Sequence, residues 1–409
     1  MTSPTQPLAV TNPEAARHLA LSTYYLRRSD FARAIQYARL PILAGEPSAI
    51  INLLTTQVLA RKYEAAAETA TMCLSAQVHH TVRKGVLEAV LPALYFLGAQ
   101  DGDCSQAYAL AAELAAHANL NPEHPRWQGQ PLKGKTLLVS LSEACIGGWG
   151  DHIMWARFIP YVAATGARIV VQGPSALARL FMTIPGVVSV CDFEQRPTCD
   201  YALSIMELPH ALGLTGVPVG NPFNVGVVPF PEETHAVAIN WGASWAAPYM
   251  DRACALAEYL PLMQLPATTL YAVQKGAHQR QLYPPPVGFQ AQDLAPNLAD
   301  FLDTAVVLSS MDAVVTTDNV VGNLACMLGR PTFVLVAKCA DWRWGSGGHT
   351  PWYPTARVYQ QEVAGEWEKP IAALTQDLHA YLQTHARKLP QAEPTEQPKT
   401  AETVTPEAA

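Results

Sequence analysis

The stretch 311–336, MDAVVTTDNVVGNLACMLGRPTFVLV, constrains the fold more than any other part of the chain. Ala313 to Thr317 is rich in β-branched residues, carries no charge and stops abruptly at Asp318 and Asn319, the pattern of a buried strand. A short apolar helix is predicted from about Val320 to Leu328, closed by Gly329 with Pro331 just beyond, and a second buried strand from Thr332 to Val336. A strand, turn, helix, strand unit of this kind belongs to an open α/β sheet. There the turn lies at the carboxyl end of the strand, where ligands collect, and the N–H groups that open the helix suit a phosphate. The same turn also reads as an ordinary helix cap made by Asp318 or Asn319, and for the turn taken alone capping is the commoner role.

The 409 residues are too many for one ordinary core, so the rest of the chain divides around this unit. After a flexible N-terminus (1–12), residues 13–120 are alanine-rich and amphipathic, with helices predicted at 14–27, 31–43, 49–60, 63–75, 81–97 and 104–116. The segment 121–134 is rich in Pro, His and Gly and reads as a linker. The hydrophobic period then changes. Strands at 136–142, 168–172, 187–191 and 200–203 alternate with helices at 152–165 and 175–182, giving a first α/β half over 135–225. A second half over 226–385 restarts with a strand at 236–241, a helix at 253–263, a strand at 269–274 and a helix at 298–309, followed by the opening unit. The tail 386–409 is Pro, Thr, Glu and Ala without periodicity, and disorder is expected there.

The net charge of −7 argues against a nucleic-acid backbone as the main partner, since that binding needs Lys and Arg to displace counterions. Eight cysteines are scattered without a CxxC pair or clustered histidines, so no metal site is expected and the thiols are read as reduced. The first fifteen residues lack the basic and apolar regions of a signal peptide, and the most apolar run, 86–99, is interrupted by Glu88 and Pro92 and is too short to span a bilayer. The expectation is a cytoplasmic protein with at most peripheral membrane association.

In the helical part, the run from Ser29 to Ile35 is echoed by Arg61 to Ala67, with Phe31 and Tyr63 entering their helices and Ala34 and Ala66 at matching offsets. The spacing is close to the ~34-residue period of tetratricopeptide repeats, and the region resembles a short, degenerate array of that kind. Such an array is either a partner-binding surface or a packing module covered by the next domain.

Several motifs of the remaining chain then add up. They run Trp127-Gln128-Gly129, the run from Leu132 to Val139, Gly150-Asp151 with Ala156-Arg157-Phe158, Ile184-Pro185-Gly186-Val187, Trp241-Gly242 and Leu270 to Lys275. After these come Asp303-Thr304-Ala305, Thr317-Asp318, and Asp341 to Trp344 with Pro351 to Pro354. Over residues 121–385 the chain resembles the bacterial tetratricopeptide proteins whose C-terminal part is similar to glycosyltransferase family 9, the ADP-heptose:lipopolysaccharide heptosyltransferase-like enzymes. The resemblance implies an α/β chain with a GT-B fold, two Rossmann-like halves after an all-α array. It also implies inverting, metal-independent transfer of a sugar from a nucleotide-diphosphate donor to an acceptor hydroxyl, with no cofactor beyond that donor substrate.

The family's Gly-Asp maps onto Gly150 and Asp151, and Asp151 is then the general base, with Gly148 and Gly150 on the acceptor side. A cap for the helix from His152 is the other role open to Asp151. The turn 143–151 is longer than the family's spacing, which bears on where that carboxylate lies. On the donor side the family's Asp-Thr and histidine correspond to Asp318, Asn319 and Asn323; an asparagine keeps a hydrogen bond but cannot become cationic. The helix start at Val320, Val321 and Gly322 is expected to keep its affinity for an anion. Trp241 and Gly242 occupy the family's loop after the first strand, Arg252 follows either as a partner for the diphosphate or as a surface arginine opening a helix, and Gln274 and Lys275 are placed to contact the nucleobase or ribose. Trp342, Trp344 and Trp352 suit a sugar face or simple packing, and His349 is read as a structural or polar contact. The expected partners are a nucleotide sugar and a glycan or protein acceptor docked on the helical repeats; cell-surface polysaccharide and flagellin-like acceptors both fit the resemblance. A catalytically decayed transferase acting as a scaffold through its repeats is the alternative, favoured by Asn323 and the long turn. A nucleotide-sugar epimerase has no motif to support it.

Overall fold

A computed structural model of the chain describes residues 12–43, 46, 49–76, 78–118, 121–141, 147–243 and 252–385. The chain opens with helices α1 (Pro13–Arg27), α2 (Phe31–Leu43), α3 (Ile50–Leu59), α4 (Tyr63–Leu74), α5 (His80–Asp101) and α6 (Ser105–Ala118). They pack in chain order, α1 on α2, α2 on α3, α3 and α4 on α5, and α5 on α6. Asn12 caps α1 by accepting from the N–H groups of Glu14 and Ala15. The fifth helix runs four residues past its expected end, because its stop is not Leu97 but Gly102, which adopts a left-handed φ of 76° and returns its N–H to Gly98.

The first α/β half comprises β1 (Thr136–Ser140), α7 (Trp149–Trp155), α8 (Ile159–Ala163), β2 (Arg168–Gln172), α9 (Ser175–Phe181), β3 (Val187–Cys191), β4 (Tyr201–Ser204) and α10 (Leu208–Ala211). Its strands are parallel in the order β3-β2-β1-β4. The second half comprises β5 (His235–Asn240), β6 (Thr268–Ala272), β7 (Gln292–Asp293), α11 (Phe301–Ser309), β8 (Ala313–Thr317), α12 (Val320–Met327), β9 (Thr332–Val336), β10 (Ala356–Gln360) and α13 (Glu368–Thr384). Its sheet is parallel in the order β10-β9-β8-β5-β6-β7. The fold class is therefore α/β, two Rossmann-like halves preceded by a helical region. The opening stretch of sequence is β8-α12-β9, at the centre of the larger sheet.

Two expected helices differ from the structure, and proline explains both. The helix expected at 152–165 begins earlier, at Trp149, and is broken into α7, a 3-10 turn at Ala156–Phe158 and α8, because Pro160 cannot donate into a continuous ladder. The helix expected at 253–263 is a 3-10 helix, Leu256–Gln264, with Pro261 inside it. The stretch expected as a linker is bound to the first sheet. Ala202 donates to Pro125 O and Trp127 N–H donates to Ala202 O, so Pro125 to Trp127 extends the sheet edge beyond β4. Arg126 donates to Glu207 and to Ala112 O, joining α6 to the first half.

One apolar core continues from the helical region into both halves. Its centre is Tyr95 on α5, whose ring stacks on Trp342 at 5.1 Å and meets Trp155 edge-on at 5.5 Å and Trp352 edge-on at 5.8 Å. The Trp352 indole donates to Tyr95 O. Three parts of the chain thus share one aromatic cluster, a geometry in which each ring pair adds to simple burial. Cys73, Cys104, Cys254, Cys326 and Cys339 are buried thiols outside any disulfide, and burial pushes Cys326 up to about 12. Among the described residues no helix is long and apolar enough to cross a membrane.

The Tyr95 hydroxyl is buried and finds no hydrogen-bond partner among the described residues. Removing an unsatisfied buried hydroxyl returns its desolvation penalty, so Tyr95→Phe is expected to raise stability by about 1 kcal/mol. Tyr95→Ala, which empties the cluster, is expected to lower it by about 3–5 kcal/mol. Urea unfolding of the two variants checks the pair of opposite signs.

Candidate active site

The carboxyl ends of β5 and β8, adjacent in the larger sheet, meet at Asn319. Its Oδ1 accepts from Val321 N at 2.9 Å and Gly322 N at 3.2 Å, which caps α12. Its Nδ2 donates to Gly242 O, to Thr317 Oγ1 and to Asn240 Oδ1, which ties the loop after β5 to the turn after β8. This corrects the expectation for the helix start. The N–H groups of Val321 and Gly322 are not presented to a ligand; Asn319 already uses them. Val320 opens the helix, and Gly322 is confined, since a side chain there would come within 3.1 Å of Thr316 and 3.4 Å of Trp344.

Asn323, expected to stand in for a histidine at the diphosphate, is a buried junction instead. Its Nδ2 donates to Asn319 O at 2.8 Å, and its Oδ1 accepts from Tyr353 Oη at 2.6 Å and from Arg343 Nη1 at 3.3 Å. A cationic side chain here would face Arg343, whereas a neutral amide can accept from it. Asp318 is buried and paired with Arg252 Nη1 at 3.4 Å. Burial pushes its carboxyl above the ordinary range; Arg252 and Arg343 pull it down and Asp341 pushes it up, so both arginines act on it.

The Trp241-Gly242 loop is held from within. Gln274 Oε1 accepts from Trp241 N and Gly242 N, its Nε2 donates to Lys275 O, and Lys275 Nζ donates to Leu298 O. Gln274 is thereby committed to the protein rather than to a nucleobase. Trp241 is buried and donates through its indole to His278 O, and Gly242 leaves room for the His278 ring, which a side chain would meet at 2.5 Å. Residues 143–146 of the turn 143–151 lie outside the described residues.

Across from α12 stands α7. Its cap is Gly148, so Asp151 lies in the first turn of the helix rather than in the turn before it. The Asp151 carboxylate folds back over Gly147, where a side chain would come within 2.4 Å of Oδ2. Gly150 lets the two helices touch, since a Cβ there would stand 3.0 Å from Asn323 Nδ2. Asp151 Oδ1 is bound by Arg343 Nη2 at 2.5 Å, and Arg343 Nε holds Asp341 at 2.8 Å. Burial works against the Arg343 charge, and Asp151 and Asp341 outweigh it, keeping its pKa well above the ordinary value. Arg157 makes the reverse crossing. It lies in the first half, is fully enclosed, and donates to Trp352 O at 3.0 Å and to Met327 Sδ in the second, besides Met154 O and Pro218 O. Burial lowers its pKa, and its charge rests on carbonyls and on the rings of Trp352 and Tyr353, each 5.3 Å away.

The aromatic loop gives a further correction. Trp342, Trp344 and Trp352 are buried; Trp342 and Trp352 are covered by Tyr95, and Trp344 packs on Tyr353, so none offers an open face to a sugar. His349 is exposed and pairs its backbone with Ser346. A hollow of about 300 Å³ is lined by Trp344, Gly345, Gly348, Val358, Gln360 and Glu362, and none of the buried ionic residues forms its wall. The site is a packed ionic cluster, not an open cleft. Asp341, Arg343 and Tyr353 belong to it, and their spacing in the sequence carries no signal that they converge on Asp151.

No family model matches the chain. Protein FlbA of Caulobacter vibrioides is 24% identical over 304 residues, which cover 63% of this chain and 48% of that protein. The match therefore spans about half the length of that relative. Among solved structures, a glycosyl transferase family 9 protein from Veillonella parvula is similar over 62% of this chain and 99% of its own, with 9% identity and a TM-score of 0.47. The E. coli ADP-heptose lps heptosyltransferase II is similar over 61% of this chain and 99% of its own, with 14% identity and a TM-score of 0.42.

Burial raises the Asp341 carboxyl, but the Arg343 charge and its hydrogen bonds overcome this and hold it below the ordinary range. A depressed carboxyl contributes stability that is present above the unfolded value near ~3.9 and is lost as pH falls through the folded one. Urea midpoints measured from pH 7 downwards are expected to fall below about pH 4, with a shallower fall in Asp341→Asn even though that variant starts less stable. An equal slope in both proteins would remove Asp341 from the acid transition.

Proposed function

We propose that the chain is a glycosyltransferase that moves a sugar from a nucleotide-diphosphate donor to an acceptor hydroxyl on a glycan or protein, with inversion and without a metal ion. The observation that carries this reading is the concentration of Asp151, Asp318, Asp341, Arg252 and Arg343 where the two halves meet, at the carboxyl ends of β5, β8 and β9. A scaffold has no need of them, because apolar residues of similar volume stabilise an interface at least as well as buried ion pairs. Buried and half-buried charges gathered at the ligand-binding edge of parallel sheets are the usual mark of a reactive site.

In this reading Asp151 takes the proton of the acceptor hydroxyl. The acceptor oxygen bonds to the anomeric carbon from the face opposite the diphosphate, and the sugar–phosphate C–O bond breaks with its electron pair leaving on the diphosphate. Arg252 neutralises that leaving group from the loop after β5. The helical array positions the acceptor, and a cytoplasmic setting with at most peripheral membrane contact suits a nucleotide-sugar donor. The scaffold reading keeps one observation in its favour: Asn319 and Asn323 have spent their hydrogen bonds inside the protein.

Isothermal titration of the full chain with a panel of nucleotide sugars, followed by donor-turnover assays, tests the proposal. Binding below millimolar is expected, with turnover falling about 10²–10⁴-fold in Asp151→Asn while binding is retained. Failure of every nucleotide sugar to bind at millimolar concentration sinks the enzyme reading and leaves the scaffold. Unchanged turnover in Asp151→Asn moves the base elsewhere.

A further inference from the structure

Arg343 holds two carboxylates that differ in origin. Asp341 is its neighbour on the same turn, where it caps Trp342–Trp344 by accepting from Arg343 N while also taking Arg343 Nε at 2.8 Å. Asp151 reaches the guanidinium from the other half of the protein. The first contact is local and survives any relative movement of the halves. The second exists only while α7 and the loop after β9 stay together.

Arg343 Nη2 occupies Asp151 Oδ1, and an oxygen so held cannot at the same time receive the proton of an acceptor hydroxyl. If Asp151 is the base, its partner must be drawn away before it can act. The sheet order supplies what draws it. Strands β9, β8 and β5 are neighbours; Arg343 stands on the loop after β9, Arg252 after β5, and both influence Asp318 at the end of the strand between them. A diphosphate lying across the end of β8 would meet one arginine from each side. It carries more charge than a carboxylate and matches the planar fork of arginine with paired oxygens.

Resting on the glycosyltransferase reading, we infer that Arg343 is a second ligand of the donor diphosphate, held on Asp151 until the donor arrives. Donor binding transfers the Arg343 fork from the Asp151 carboxylate to the diphosphate, keeps its Asp341 contact, and leaves Asp151 uncovered for the acceptor hydroxyl. No bond is made or broken in the exchange. One event both seats the donor and activates the base, so the acceptor meets a competent carboxylate only when a donor is present.

The test is titration of the full-length chain with ADP, UDP and GDP. The proteins compared are wild type, Asp151→Asn, Arg343→Lys and the double variant, with thermal melting to verify folding. Because Asp151 competes for Arg343, Asp151→Asn is expected to tighten nucleoside diphosphate binding by about fivefold or more. Arg343→Lys, which keeps the charge and loses the fork, is expected to weaken it about tenfold, and in the double variant the gain from Asp151→Asn disappears. A merely structural Arg343 would make Asp151→Asn weaken binding or leave it unchanged, and either result overturns the exchange. Wild-type protein that binds none of the three diphosphates overturns the glycosyltransferase reading itself, whereas binding without any Asp151→Asn effect overturns only the role of Arg343.

Discussion

Two arginines cross the buried joint between the halves, Arg157 from the first and Arg343 from the second, while the exposed Arg179 pairs with Asp300 and Asp303; the arrangement of the buried joint follows from what Arg157 and Arg343 touch. Arg157 crosses from the first half and ends on neutral groups, the carbonyls of Trp352 and Pro218, the sulfur of Met327 and two aromatic faces. Arg343 crosses the other way and ends on a carboxylate, Asp151. Carbonyls and rings solvate a buried guanidinium without neutralising it, and they are held by the backbone and the core. A carboxylate neutralises it but can be replaced by a better anion. The first crossing therefore behaves as a fixed joint and the second as an exchangeable one. Gly150 allows α7 to approach α12 closely, since a side chain at that position would stand 3.0 Å from Asn323 Nδ2.

The joint extends to the helical region through Tyr95. Trp342 and Trp352 belong to the same loop that carries Arg343, and both lie against that one ring. Arg61, between α3 and α4, reaches the loop as well, donating to Gln360 and to Gly345 O. The helical region is thus a support for the loop that presents the exchangeable arginine, not a separate body.

How much of this is legible in the sequence depends on whether the signal is local. The helices α1 to α6 follow an apolar period and short polar breaks, and β8-α12-β9 follows β-branched runs with a cap and a closing glycine, so both are readable. Strand β10 and helix α13 carry weaker local signals: Ala356 to Gln360 is short and half polar, and α13 follows a stretch without a strong cap. The site is harder. Asn319 is legible as a cap because capping acts over three residues, and that local role turned out to consume the N–H groups that a ligand would need. The Trp residues could not be assigned between packing and sugar contact, because the ring that covers them, Tyr95, lies about 250 residues earlier in the chain and no periodicity links the two.

The same reasoning explains why Asn323 misleads when compared position by position. Taken as a replaced histidine, it suggests a lost cation at the diphosphate. In the structure its Oδ1 accepts from both Tyr353 and Arg343, a geometry that a protonated imidazole cannot provide because both its nitrogens donate. The cationic role has a candidate bearer one loop away, in Arg343, and a histidine at 323 would repel it. The asparagine and the arginine form a compensated pair: a neutral acceptor on α12 permits a cation on the loop after β9, and that cation reaches the carboxylate on α7. The neutral amide thus fits beside the Arg343 cation, and the positive charge next to α12 is carried by the loop that packs on Tyr95.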